Sequence, residues 1–336
     1  MQNILIIYTG GTIGMIQNEK GVLLPFTCEN LLNYIPLLKN FPAKLSSVSF
    51  DNLIDSADAD PGFWIKIGNT IVENYDNYDG FVVLHGSDTM SYSASVLSFM
   101  LENLTKPVIF TGSQLPIGLL RTDARENIIA ALEMACMSKN GKPLIQEVCI
   151  YFENKLMRGN RTTKFSTENF DAFISPNYPP LAKVGTDIKI FEEYLYRPSI
   201  DFLIFHKSLC TDIAIVKLFP GITLNILRNI INTPGLKGLI IESYGSGNAP
   251  TNSNFIGLLK DAIDKNIIVL NISQCMVGKV IQGKYSTSIK LQEIGVIGGK
   301  DMTTEAAVTK MMYLLGQNYK KNEIEKLLCI SLRGEC

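Results

Sequence analysis

Ile4-Leu5-Ile6-Ile7-Tyr8-Thr9-Gly10-Gly11-Thr12-Ile13-Gly14 is an apolar run that stops on a loop of glycine and hydroxyl side chains. Phe81-Val82-Val83-Leu84-His85-Gly86-Ser87-Asp88-Thr89 repeats the arrangement. Continuous runs of branched and aromatic residues suit strands covered on both faces. Loops at the carboxyl ends of parallel strands share one edge of an open sheet, so two such loops can converge on a common crevice. The pair predicts an α/β protein with a hydroxyl-based site at that edge.

Further strands are predicted at 107–110, 148–152, 213–216, 238–241 and 267–270, and the clearest helices at 89–103, 122–138 and 303–315. Strand and helix alternate over most of the chain, which implies a largely parallel sheet. Thr303 and Thr304 ahead of Glu305 supply hydroxyl caps for the last of these helices, and Gly316 offers a left-handed stop. The tail after Gln317, with its Lys and Glu residues around Leu327 and Leu328, is expected to form a terminal helix. A chain of 336 residues is long for one hydrophobic core, and the alternation weakens between 184 and 212. Two domains follow: a larger N-terminal one over 1–183, with a mainly parallel sheet, flanking helices and the glycine and hydroxyl loops, and a smaller C-terminal α/β domain over 213–336. Residues 184–212 are expected to link them.

Composition removes several functions. With 31 Lys and Arg against 32 Asp and Glu there is no basic footprint for a phosphate backbone, so nucleic acid is not an expected partner. No apolar stretch approaches the roughly 20 residues that span a bilayer, and the N-terminus lacks a signal-peptide pattern, so a cytoplasmic location without membrane attachment is expected. The seven cysteines, Cys28, Cys136, Cys149, Cys210, Cys275, Cys329 and Cys336, are odd in number and never spaced C-x-x-C, and read as reduced thiols. With only His85 and His206 to join them, a metal site is not expected.

The first loop fits a phosphate cradle poorly, because neither the Walker spacing nor G-x-G-x-x-G is present. A local reading stays open, in which Gly10 and Gly11 make a tight turn and Thr12 satisfies a nearby backbone group. In the second loop, Ser87 or Asp88 is a good N-cap for the helix that starts near Thr89, while a carboxylate beside a hydroxyl also suits an ammonium clamp and a proton relay. His85, directly after its strand, reads as a packed, hydrogen-bonded residue rather than a base. No Gly-x-Ser-x-Gly elbow accompanies either histidine, which disfavours a Ser-His-Asp hydrolase. A hydroxyl activated by a lysine remains. Lys155 and Lys164, after the strand at 148–152, can both reach the same edge, and spacing does not choose between them.

Thr9-Gly10-Gly11-Thr12-Ile13-Gly14-Met15, His85-Gly86-Ser87-Asp88-Thr89-Met90 and Thr162-Thr163-Lys164 together resemble the bacterial-type L-asparaginases, most closely the cytoplasmic type I branch. The resemblance runs along the whole chain, through Leu53-Ile54-Asp55-Ser56, Thr111-Gly112-Ser113-Gln114, Ser243-Tyr244-Gly245-Ser246-Gly247-Asn248-Ala249-Pro250, Ser273-Gln274-Cys275-Met276 and the segment 295–303. It implies hydrolysis of L-asparagine to aspartate and ammonia without a cofactor. Thr12 would be the nucleophile that forms an acyl-enzyme, with Ser87, Asp88 and Lys164 as its proton relay. Ser56 and Asp88 would hold the substrate's α-carboxylate and α-amino groups, in a binding site that also includes Gly11, Ala57, Ser87 and Ser113. Backbone amides near Thr12 and Ser87 would stabilise the oxyanion. Asn248 would approach the site of a neighbouring subunit, which implies a homodimer or a dimer of dimers; its plainer reading is a turn residue between Gly247 and Pro250.

Three departures from the family pattern stand out. Ser87 replaces the usual threonine, keeping the hydroxyl but losing the methyl that restricts rotation. Val22 occupies the place where some type I relatives carry a tyrosine, so no phenol assists Thr12 from there. Glu242 stands where an arginine of the type I allosteric asparagine site is found; a carboxylate repels the substrate's own, so no allostery of that design is expected. Rival readings are glutaminase activity, the amidotransferase subunit that supplies ammonia to misacylated transfer RNA, a non-catalytic amino-acid sensor and a nucleotide-dependent dehydrogenase. That subunit carries an extra N-terminal domain, whereas here the motif begins at residue 9, so it is not the expected reading.

Overall fold

The structure, a computed structural model, describes residues 1–14, 16–17, 23–24, 34–283 and 286–336. Met15, Val22 and Cys28 of the sequence reading lie outside the described residues. The chain divides into two compact units, 1–207 and 208–336.

The first unit is built on an eight-stranded sheet. Its strands are β1 (Asn3–Gly10), β2 (Lys44–Ile54), β3 (Gly80–Leu84), β4 (Val108–Thr111), β5 (Val148–Phe152), β6 (Lys155–Arg158), β7 (Ala182–Val184) and β8 (Ile188–Ile190). In space they run β8-β7-β6-β5-β4-β3-β1-β2. The five from β2 to β5 are parallel and the three beyond β5 antiparallel. Every residue of β3 and β5 is buried, as expected of strands with both faces covered. Ile4, Ile6, Tyr8, Val82 and Leu84 share one core cluster with Ile128, Ala131 and Leu132 of helix α3 (Ala124–Ala135), while Leu5, Ile7, Phe81 and Val83 are equally buried. Helices α1 (Pro61–Glu73) and α2 (Met90–Met100) are joined by a Trp64 Nε1 to Ser93 Oγ hydrogen bond of 2.9 Å.

The second unit carries a four-stranded parallel sheet in simple order: β9 (Ile213–Lys217), β10 (Gly238–Ser243), β11 (Ile268–Ser273) and β12 (Ile297–Gly298). Its helices are α4 (Leu224–Ile231), α5 (Ser253–Asp264), α6 (Ser286–Glu293), α7 (Thr304–Gly316) and α8 (Lys321–Leu328). Thr303 caps α7 by accepting from the Ala306 amide.

The expected strand 148–152 is found with those bounds, and 107–110 is displaced by one residue. β2 has no predicted counterpart, because an edge strand that intersperses Val48 and Phe50 with exposed Lys44, Ser47, Ser49, Asp51 and Asn52 carries no apolar run. α1 was also not predicted, although Asp60 and Pro61 supply its cap and first position. The helix expected to reach residue 103 stops at Met100, because Leu101–Glu102 pairs antiparallel with Ile204–Phe205. The helix expected to 138 stops at Ala135, since Ser138–Lys139 folds back on Lys142–Pro143. Of residues 184–212, expected as a linker, 184–207 belong to the first unit and the rest to the second: Val184 pairs with Ile188 at the sheet edge, and Phe205 packs on Gly68 of α1. These are antiparallel pieces of two or three residues, too short to show as periodicity. Gly316 is not a left-handed stop. It is the last residue of α7, and a Cβ there would collide with the Ser208 carbonyl and come within 2.7 Å of Leu209 Cα. Close backbone approach is its requirement.

Candidate functional site

β1 is flanked by β2 on one side and β3 on the other, so successive crossovers leave it in opposite directions. The carboxyl ends of such strands open a crevice, and the sequence loads them with polar side chains. β1 runs into Thr12, β2 into Asp55-Ser56-Ala57, β3 into Ser87-Asp88 and β4 into Gly112-Ser113. The Thr9 hydroxyl donates to the Leu84 carbonyl at 2.9 Å, tying the first loop to the second. Gly11 sits at φ +86°, in the left-handed region, and a Cβ there would strike the backbone of Gly86. A Cβ on Gly86 would lie 2.6 Å from Ser56 Oγ. Three loops therefore meet across two glycines, and Thr12 opens the 3-10 turn Thr12–Gly14 beside them.

Lys164 arrives from across the sheet. β6 leads into a turn over Gly159–Arg161, closed by the Thr162 hydroxyl donating to the Arg158 carbonyl at 2.7 Å. Thr163–Lys164 then pairs with Phe173–Ile174. The Lys164 Nζ donates to Ser87 Oγ at 2.9 Å and to Asp88 Oδ1 at 2.6 Å. Lys164 is 16% exposed and Asp88 64%, so the carboxylate faces solvent while the ammonium is shielded. Lys155 lies opposite Lys183 in the antiparallel part of the sheet. Neither Ser87 nor Asp88 caps α2. The N-cap is Thr89, and it makes no side-chain cap bond.

Behind the loops, His85 is 1% exposed. Its Nδ1 lies 2.6 Å from the Gly86 carbonyl and its Nε2 2.8 Å from Ser93 Oγ. A carbonyl only accepts, so Nδ1 carries the proton and Nε2 accepts from Ser93. Burial lowers its pKa to about 4, and the neutral ring is a structural prop. Two residues outside the motif reading hold the Ser113 loop. Asp123 accepts from the Gln114 and Leu115 amides, and Asn127 Nδ2 donates to the Gly112 carbonyl at 3.0 Å. Burial raises the Asp123 carboxyl pKa, opposed by those amide bonds. Asp123 stands at the N-cap of α3, where it looks like an ordinary cap, and Asn127 lies inside the helix, where nothing local marks it as a loop support.

Ser56 is buried, the Ala57 amide donates to Asp55 Oδ1 at 2.9 Å, and the Ser113 hydroxyl donates to the Leu115 carbonyl at 2.7 Å. Asn248 belongs to the second unit. Its backbone closes a turn with Tyr244, whose intervening carbonyls are held by Ser273 Oγ on Gly245 and Asn271 Nδ2 on Gly247. The Glu242 carboxylate accepts from the Thr304 hydroxyl at 2.6 Å.

Fold and site together define a two-unit α/β protein whose sheet edge gathers two hydroxyl loops around a lysine and a carboxylate. The family model for "Asparaginase, N-terminal" matches residues 3–196, and that for "Glutaminase/Asparaginase C-terminal domain" matches 212–328. The chain is 44% identical to L-asparaginase 1 of Escherichia coli, over 99% of this chain and 98% of that one. It is 41% identical to a 60 kDa lysophospholipase of Mus musculus, over 99% of this chain and 62% of that one. The crystal structure of L-asparaginase I from Vibrio cholerae superposes with a TM-score of 0.89 at 39% identity, covering 99% and 98% of the two chains. The chain belongs to the asparaginase family.

Proposed function

We infer that this protein is an L-asparagine amidohydrolase acting through a threonine acyl-enzyme. The observation that carries this reading is the Lys164 bridge to Ser87 and Asp88, on a loop that touches the one bearing Thr12. A hydroxyl nucleophile needs a neighbouring group that takes its proton and returns it to the leaving group. Thr12 Oγ1 bonds to the side-chain amide carbon of asparagine. Its proton passes through the Ser87 and Lys164 relay to the departing nitrogen, and the carbon–nitrogen bond breaks to release ammonia. Water then adds to the ester, the bond to Thr12 breaks, and aspartate leaves. Backbone amides near Thr12 and Ser87 serve the oxyanion. Ser56 and Asp88 hold the α-carboxylate and α-amino groups, with Gly11, Ala57 and Ser113 completing the binding surface. No cofactor takes part.

Asn248 of a second copy approaches this site in a homodimer or a dimer of dimers. The apolar side chains left exposed beside the relevant loops support such a contact: Leu120 and Phe165 in the first unit, Met276 and Val277 in the second. Among the described residues no helix is long and apolar enough to cross a membrane, and the proposed location is the cytoplasm.

Ammonia release from L-asparagine and L-glutamine over a concentration series tests the reading. Asparagine is the preferred substrate, and Thr12→Ala abolishes turnover while leaving the fold intact; substantial residual activity sinks the nucleophile assignment. With Glu242 engaged by Thr304, the asparagine curve is hyperbolic, and a sigmoidal one contradicts the absence of an allosteric site there.

A further inference from the structure

Thr89 stands at the N-cap of α2 with φ −117° and ψ 14°, yet its side chain forms no cap bond. A threonine there ordinarily accepts from an amide of the first turn, a contact that stabilises a helix by about 1 kcal/mol. The Thr89 hydroxyl instead donates to the Ser56 carbonyl at 2.6 Å. The same carbonyl accepts from the Ala59 amide at 3.1 Å, closing the 3-10 turn Ser56–Asp58. On its other side Ser56 is pressed by Gly86, where a Cβ would come within 2.6 Å of Ser56 Oγ. Ser56 is 3% exposed. Its main chain is thus held by Thr89 and its side chain lies close against Gly86, both from the loop that carries Ser87 and Asp88.

We propose that Thr89 is a positioning residue that sets the spacing between Ser56 and Asp88, so that the site selects a ligand carrying an ammonium and a carboxylate on one carbon. Thr89 follows Asp88 directly, and its hydroxyl joins the loop of one clamp to the main chain of the other. The inference rests on the reading that Ser56 and Asp88 hold the substrate's α-groups. Thr89 touches neither Thr12 nor Lys164 through this bond, so its effect falls on ground-state binding.

The test compares Thr89→Val, nearly isosteric but without a donor, with Thr89→Ser, which keeps the donor. KM and kcat for L-asparagine, competitive inhibition by L-aspartate and Tm are measured for each. In Thr89→Val, KM and the aspartate inhibition constant rise together by roughly five- to tenfold, as loss of one hydrogen bond predicts, while kcat changes by less than about threefold. Thr89→Ser restores both constants to within about twofold of the parent. Should the valine variant fold poorly, Thr89→Ala gives the same comparison. Unchanged KM and inhibition constant, a fall confined to kcat, or failure of serine to rescue overturns the inference. Ser56→Ala separates the two levels. If it leaves aspartate binding unchanged, the clamp reading itself fails; if it weakens binding and Thr89→Val does not, only the role of Thr89 fails.

Discussion

Ser87 shows what a single residue contributes here. The bond from Lys164 needs only the Oγ and makes no use of a methyl, so a serine fills the position with the contact to Lys164 intact. His85, two residues earlier, supplies a test by pH. Its folded pKa is about 4 against 6.5 for the free side chain, because burial disfavours the charged ring. Between those values the unfolded chain binds the proton and the folded one does not, so stability declines as pH falls from 6.5 towards 4. The loss attributable to this group is on the order of 3 kcal/mol. Thermal unfolding across that range for the parent and for His85→Gln isolates it: the substitution flattens the dependence, and parallel curves would mean the ring is not held neutral. At this scale the sequence identified the side chains, but spacing left Lys155 and Lys164 equivalent and only the family resemblance pointed to Lys164, because reach depends on where the turn after β6 sends the chain.

Among the elements, α7 and the residues after α8 are joined by a buried ion pair. Lys310 and Glu335 are both 0% exposed and meet at 2.6 Å. Lys310 also donates to the Ile330 carbonyl at 2.6 Å, and Glu335 accepts from the Leu332 and Arg333 amides. Burial alone would raise the Glu335 carboxyl, but Lys310 and those amides hold it below the usual carboxylate range. Removing one partner strands a charge without water. Lys310→Met therefore costs about 3–5 kcal/mol, read as a lowered urea midpoint of the full chain. The double variant Lys310→Met/Glu335→Gln recovers part of that loss, and a single-variant cost under about 1 kcal/mol would show that the carboxylate finds other compensation. The sequence showed α7, its threonine cap and a terminal helix. It gave no sign of this pair, since the partners lie in different elements and each looks like a solvated surface residue.

For the molecule as a whole, the proposed assembly would share the site between copies. Thr12→Ala and Asn248→Ala chains are each expected to be inactive or nearly so, but a mixed dimer contains one site with both residues intact. Co-expressing the two variants restores about a quarter of parental turnover if pairing is random and each Asn248 serves the neighbouring site. Activity no higher than the sum of the separate variants would mean that Asn248 does not serve a neighbouring site, and full turnover by Asn248→Ala alone would leave it as a turn residue between Gly247 and Pro250.

Apolar runs ending on glycine and hydroxyl loops were enough, unaided, to determine the α/β class, most of the buried parallel strands and the candidate loops. Those features are local: a strand covered on both faces needs branched apolar residues in succession, and a loop that meets another backbone needs glycine. The tertiary structure decided what depends on distant partners. It placed β1 between β2 and β3, brought Gly11 against Gly86, chose Lys164 over Lys155, and turned Ser87 and Asp88 to the lysine in place of the helix cap. It also drew residues 184–207 into the first unit. A hydroxyl or a lysine has several partners of similar energy within reach of its own segment, and the packing of the strands selects among them.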